Sequence, residues 1–346
     1  MRCLRLFFAL ALATAAVMGG RAHGQNPDAL KPTKIIRTQR GQIKTKSPVI
    51  TAVAICPGGA QISTAGDDHV VRIWSTENGQ ITHTLKGHDD WVRSLAFSPD
   101  GRLLASCGDD RQVIFWEVST GRRLHSAGPH ARSLYAIAFH PKGDVLAAVG
   151  FEPTVRFYDA NTGSQIKELV GPSTDLRAVT FSPDGQQLAV AGRNGQIRVW
   201  SWPSGTMQLE FAAGRGRIRT LAYLPQGDTL VSAGEGRVIS LWDVRSGEGL
   251  HEFACPAGKV LSMAVCGDNL IATGGSDNLV RVWNWQTGSE ADRLAGHTGS
   301  IAALSYDADS GQIISGSYDT TVRVWKLKPA SPAADTAGST PPARIR

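Results

Sequence analysis

Three kinds of residue in this chain could do chemistry. His88, Ser106 and Asp110 follow one another at intervals of 18 and 4 residues, and His297, Ser315 and Asp319 repeat those intervals. Hydroxyl, imidazole and carboxylate together are the parts of a nucleophilic hydrolase, in which the imidazole takes the hydroxyl proton and the carboxylate orients the imidazole. A second group, Arg177, Arg193, Arg215, Arg217 and Arg219, offers guanidinium forks that match carboxylates and phosphates. The third, Asp307-Ala308-Asp309-Ser310-Gly311, has the opening of a calcium loop but lacks its later acidic residues, and it reads better as an Asp-rich β-turn. The nine histidines are scattered, with no His-Glu-x-x-His. There are no paired cysteines at zinc spacing, no haem Cys-x-x-Cys-His and no Gly-rich phosphate loop, so no metal or cofactor is expected.

What these residues do depends on the elements that hold them, and those elements repeat. An aromatic residue after a short β-branched run recurs at Trp74, Trp116, Tyr158, Trp200, Trp242, Trp283 and Trp325, at spacings of 42, 42, 42, 42, 41 and 42. Such a period fits a propeller blade or a HEAT-type helical pair, and the strand pattern decides for the blade. Each unit has an alternating segment such as Val92-Arg93-Ser94-Leu95-Ala96-Phe97, the turn Ser98-Pro99-Asp100-Gly101, and a second apolar run, Leu103-Leu104-Ala105. A third segment ends on the aromatic, as in Val70-Val71-Arg72-Ile73-Trp74, and a Thr-Gly or Ser-Gly turn leads to a fourth such as Gln80 to Leu85. The expected fold is all-β, with seven blades of four antiparallel strands.

The units resemble WD repeats (WD40). Gly87-His88 and Gly296-His297 match the Gly-His element, and Tyr158-Asp159 and Trp242-Asp243 the terminal dipeptide. Trp74-Ser75, Trp116-Glu117, Trp200-Ser201, Trp283-Asn284 and Trp325-Lys326 depart from it while keeping the period. The resemblance covers roughly residues 33–328 and implies a seven-bladed WD40 β-propeller. The chain supplies too few strands after Trp325 to finish the last blade, so Lys34-Ile35-Ile36-Arg37-Thr38 is expected to close the ring against it.

The resemblance also gives the Ser–His–Asp sets a structural role. In WD repeats, histidine, serine or threonine, aspartate and tryptophan form a hydrogen-bonded tetrad, and His88, Ser106, Asp110 and Trp116 match all four positions, as do His297, Ser315, Asp319 and Trp325. Partial versions stand at Thr64, Asp68 and Trp74 and at Thr273, Asp277 and Trp283; Glu152, Asn194 and Gly236 hold the aspartate position in blades three to five. Buried polar groups spent on one another are a staple rather than a nucleophile.

By the same resemblance, the loops entering each blade and the turns before its third strand form the recognition face. The starts of the inner strands in blades two to six are Trp91 and Arg93, Ser133 and Tyr135, Asp175 and Arg177, Arg217 and Arg219, and Lys259 and Leu261; the turns carry Asp109, Phe151, Arg193, Glu235 and Tyr318. Exposed aromatic residues (Trp91, Tyr135, Phe151, Tyr318) and arginines (Arg93, Arg177, Arg193, Arg217, Arg219) are the types that dominate protein interfaces. The leading expectation is a non-catalytic scaffold docking a protein or peptide, with an acidic segment over blades four and five. The alternative is an enzyme or small-ligand propeller with its site in the central channel, for which no convergent titratable set is apparent.

Charge and the termini bound the rest. Arg2 and Arg5 precede an apolar run from Leu6 to Val17, which reads as a secretory signal peptide over residues 1–24, too short to span a bilayer. An exported bacterial-type protein, periplasmic or extracellular, is expected, with a linker at 25–32 and a disordered Pro/Ala/Ser/Thr tail at 329–346. Of the net +6, residues 1–24 carry +3, residues 25–48 carry +5 and the tail +1, which leaves the body at −3 and argues against nucleic-acid binding. The propeller is expected to be monomeric by itself. Cys255 and Cys266 flank a predicted strand, Lys259 to Val265, and are held beyond the roughly 7 Å that a disulfide spans, so free and mostly buried thiols are expected.

Overall fold

Each blade begins with a residue run that alternates toward the ring axis and ends with one that alternates toward solvent. In the computed structural model, which describes residues 32–37, 47–214, 216–256 and 258–327, these runs form seven four-stranded antiparallel sheets and no helix. Six sheets take four consecutive strands each; Ile50–Ile55, Gln61–Gly66, Val70–Ser75 and Ile81–Lys86 make the first. Second strands such as Val145–Gly150 are buried along their whole length because neighbouring blades cover both faces. Outer strands such as Gln165–Val170 are largely exposed and tolerate charge.

The seventh sheet joins Lys34–Arg37 to Thr321–Lys326, with Ile36 opposite Val322 and Lys34 opposite Val324. The closing strand expected from the sequence is therefore present, with Thr38 outside the described residues. Ile36 is buried in one cluster with Ile50, Ile62 and Trp74 of blade one and Ile314, Val322 and Val324 of blade seven. Lys34 reaches onward to blade one, where its Nζ donates to the carbonyls of Thr76 (2.7 Å) and Glu77 (2.8 Å).

Two turn devices repeat. At the inner hairpin, Ser98 Oγ donates to Asp100 Oδ1 (2.5 Å) and accepts from Leu103 N (2.9 Å), while Gly101 takes a φ of 70° that other residues resist. Ser182, Asp184 and Gln187 repeat the pattern. The Asp307 segment is such a hairpin turn: Asp307 Oδ2 accepts from Ser310 N (2.9 Å) and Oδ1 from Gly58 N (3.2 Å) in blade one.

At the other end, the glycines that finish the second strands allow a close approach. A Cβ at Gly108, Gly150, Gly192 or Gly234 would lie 2.0–2.2 Å from the carbonyl oxygen of Trp91, Ser133, Asp175 or Arg217. The next residue donates its N–H to that carbonyl, from Asp109 (2.8 Å), Phe151 (3.0 Å), Arg193 (2.9 Å) and Glu235 (3.0 Å). This bond sets each turn residue beside the inner-strand residues of its own blade.

Cys56 is half-buried and Cys107, Cys255 and Cys266 are buried, and none of the four is in a disulfide. Burial pushes the Cys266 thiol up to about 12. Residues 1–24, the linker as far as residue 31 and the tail from 329 lie outside the described residues; among those described, no helix is long and apolar enough to cross a membrane.

Candidate interaction face

Both complete tetrads form as chains of donors and acceptors. In blade two, Trp116 Nε1 donates to Ser106 Oγ (2.8 Å), Ser106 Oγ meets His88 Nε2 (2.7 Å), and His88 Nδ1 meets Asp110 Oδ2 (2.6 Å). In blade seven the distances through Trp325, Ser315, His297 and Asp319 are all 2.8 Å. Burial would raise the Asp110 and Asp319 carboxyls, but the bonds and charge of His88 and His297 outweigh it and hold both below the usual carboxylate range. The order of atoms is that of a hydrolytic triad, yet Ser106 and Ser315 are fully buried and each accepts an indole N–H, so no carbonyl carbon can reach the hydroxyl.

The other blades replace the staple in ways the sequence reading missed. In blades one and six, which lack the histidine, the acid pairs with an arginine four residues on: Asp68 with Arg72 (2.7 Å) and Asp277 with Arg281 (2.9 Å), while Trp74 and Trp283 keep their 2.8 Å bonds to Thr64 and Thr273. In blade three Ala148 removes the hydroxyl, and His130 Nε2 bonds Tyr158 directly through its phenol (3.0 Å). Glu152 there accepts from Arg132 N (2.8 Å) and from Arg156 (2.6 Å). In blade four Asn194 Nδ2 donates to Pro172 O (2.7 Å). His130 stands 42 residues after His88, so its place was visible; the arginine substitution needed the fold.

The loop face gathers five of the expected residues around the channel mouth. Arg93, Tyr135, Arg177, Arg219 and Tyr318 line a cavity of about 220 Å³ whose lower wall is formed by small and apolar inner-strand residues. The Arg177 guanidinium lies over the rings of both Tyr135 (4.3 Å) and Phe151 (4.2 Å), and Arg93 over Trp91 (4.7 Å). Arg219 bridges the mouth to Tyr135 Oη (3.4 Å).

These arginines are not free charges. Arg93 pairs with Asp109 (Nε–Oδ2 2.9 Å), Arg177 with Asp175 (Nη2–Oδ2 3.1 Å) and Arg219 with Glu235 (2.7 Å). Arg217 lies between Asp175 (3.4 Å) and Glu235 (3.3 Å). The hydrogen bond from Arg219 holds the Glu235 carboxyl below its usual range. The Nε groups of Arg217 and Arg219 are shielded from solvent and have no acceptor among the described residues. Arg193 sits exposed on its turn outside this group, and Arg215 lies outside the described residues. The face is thus a collar of arginines and acids rather than a basic patch, capped by the exposed rings of Phe151 and Tyr318.

Known proteins place the chain at the level of the fold. A family model described as the IFT122 first beta-propeller matches residues 49–326. A probable serine/threonine-protein kinase PkwA of Thermomonospora curvata is 34% identical over 69 residues, 20% of this chain and 8% of that protein. The pre-mRNA-splicing factor cwf17 of Schizosaccharomyces pombe is 42% identical over 52 residues, 15% of each. The matched stretches are thus a small part of both curated relatives, whereas the family model covers nearly the whole ring, and the chain belongs to the β-propeller family of the IFT122 first propeller.

Proposed function

We propose that this protein is a non-catalytic scaffold that docks a protein or peptide on the loop face, centred on the channel mouth. The observation that carries this reading is Arg177, clamped between Tyr135 and exposed Phe151 and held by Asp175. Such a side chain is fixed before a partner arrives, so little entropy is lost on binding. Aromatic and arginine anchors around a cavity are the usual centre of an interface. Arg217 and Arg219, with 24% and 18% of their side chains exposed beside the mouth, are the groups that an acidic partner segment would meet. The buried tetrads support a role without catalysis, since Ser106 and Ser315 are fully buried and each already accepts an indole N–H. The basic residues and apolar run at the start of the chain support export to the periplasm or outside the cell. The kinase and splicing roles of the two relatives are not carried over, because the matched stretches cover only 8% and 15% of those proteins.

Charge reversal of the arginines would disturb their ion pairs, so the test alters the exposed rings. Crosslinking capture from the source cells with the parent chain is expected to yield a partner that a folded Phe151→Asp, Tyr318→Asp variant loses. Equal capture by the variant would remove the loop face as the docking site. Saturable binding of a small molecule in the channel, with no partner captured, would favour the channel-site alternative.

A further inference from the structure

Blade five lacks the histidine, the acid and the arginine that other blades set beside the tryptophan. Gly214 stands where blades two and three have His88 and His130, and Gly236 where other blades have Asp110, Glu152 or Asp277. Ser240 stands where blades one, three, four, six and seven have Arg72, Arg156, Arg198, Arg281 and Arg323. Trp242 keeps its bond to Ser232 Oγ (2.8 Å), so the strand itself is normal. Beside it lies a cavity of about 280 Å³ walled by Gly214, Gly216, Gly234 and Gly236, with Ser232, Ser240 and Glu252 supplying polar groups.

The vacancy has a definite chemistry. In blade four, Arg198 of the third strand pairs with Glu210 directly opposite on the outer strand (2.6 Å). In blade five the register is the same, Ser240 opposite Glu252, and the acid is kept while the arginine is gone. Glu252 Oε2 accepts only the Ser240 hydroxyl (3.2 Å) and meets no cation among the described residues. Arg217, on the wall toward the channel, is neutralised by Asp175 and Glu235. We propose that this pocket receives an arginine side chain from a peptide partner, whose guanidinium pairs with Glu252 as Arg198 pairs with Glu210. The site is separate from the channel mouth and stands independently of the docking reading above.

The probe is N-acetylarginine N-methylamide, titrated into the full chain by calorimetry. Saturable binding with a Kd on the order of 1 mM is expected, as for one side chain in a preformed pocket. Ser240→Arg, which restores the residue five other blades carry, should fill the pocket and weaken binding by about tenfold or more, and Glu252→Gln should do the same without altering the glycine wall. Phe151→Asp with Tyr318→Asp should leave it unchanged. Binding that survives both Ser240→Arg and Glu252→Gln would overturn the proposal, as would equal binding of N-acetylglycine N-methylamide. Binding seen only after Arg215→Ala would also overturn it, because the chain's own side chain would then be the occupant.

Discussion

A chain lacking residues 33–37 is expected to lose cooperative unfolding of the ring and to aggregate. Ile36 is buried at 4% exposure in the cluster that joins blades one and seven, and removing a buried isoleucine side chain costs about 2–5 kcal/mol. Thr33 adds two bonds to Val324 O, from its N (2.9 Å) and Oγ1 (3.0 Å), and Lys34 adds two more to blade one. Each such bond is worth about 1 kcal/mol net, so the deletion removes a large part of the roughly 5–15 kcal/mol that stabilises a domain. It also bares the edge of Thr321–Lys326, a ready template for pairing with another chain. Ile36→Ala alone should give a folded ring with a lower melting temperature. Calorimetry decides between these expectations, and a truncated chain that melts cooperatively at the parent temperature would refute the closure.

Ser315→Ala should be the most damaging single exchange of a hydroxyl for hydrogen in the protein, with Ser106→Ala close behind. Each serine oxygen serves two buried partners, the indole N–H of Trp325 or Trp116 and the Nε2 of His297 or His88. Leaving each partner unmatched costs about 1–3 kcal/mol, so a loss of about 3–5 kcal/mol is expected from denaturant unfolding. Ser232→Ala in blade five strands only Trp242 and should cost about half as much. The tetrads also set an acid limit. Because folding depresses the Asp110 and Asp319 carboxyls, their stabilisation is complete above the unfolded value, about 4, and is lost as pH falls through the folded values. Asp319→Asn should therefore lower stability at pH 7 and make it less sensitive to acid; an unchanged acid dependence would show that His297 and Asp319 are not coupled in this way.

Much of the fold lay open in the sequence, because a propeller repeats one local pattern seven times. The aromatic period located every third strand, Lys34 to Arg37 was identifiable as the closing strand by counting, and the spacings of His88 and His297 located both complete tetrads. Less of the interaction face was legible. Arg177 and Asp175 pair across the register shift between Leu176 and Ala178 at the entry to the inner strand, which alternation alone does not reveal. The pairing of Arg219 with Glu235 depends on the turn bond within blade five, and its reach to Tyr135 two blades away on the ring's curvature. Arginines that read as a basic group from composition are therefore half of a mixed collar. His130 was overlooked because Ala148 and Tyr158 disguise its tetrad, in which the phenol takes over both the ring and the hydroxyl.

Docking at the channel mouth is tested most directly by amide hydrogen exchange of the full chain with and without its captured partner. Slowed exchange is expected at the loop-face segments around residues 91–93, 133–135, 151, 175–177, 217–219 and 318, with little change at the opposite-face hairpins around 100, 143, 185 and 227. Protection confined to those hairpins, or to the outer strands, would contradict the loop-face account.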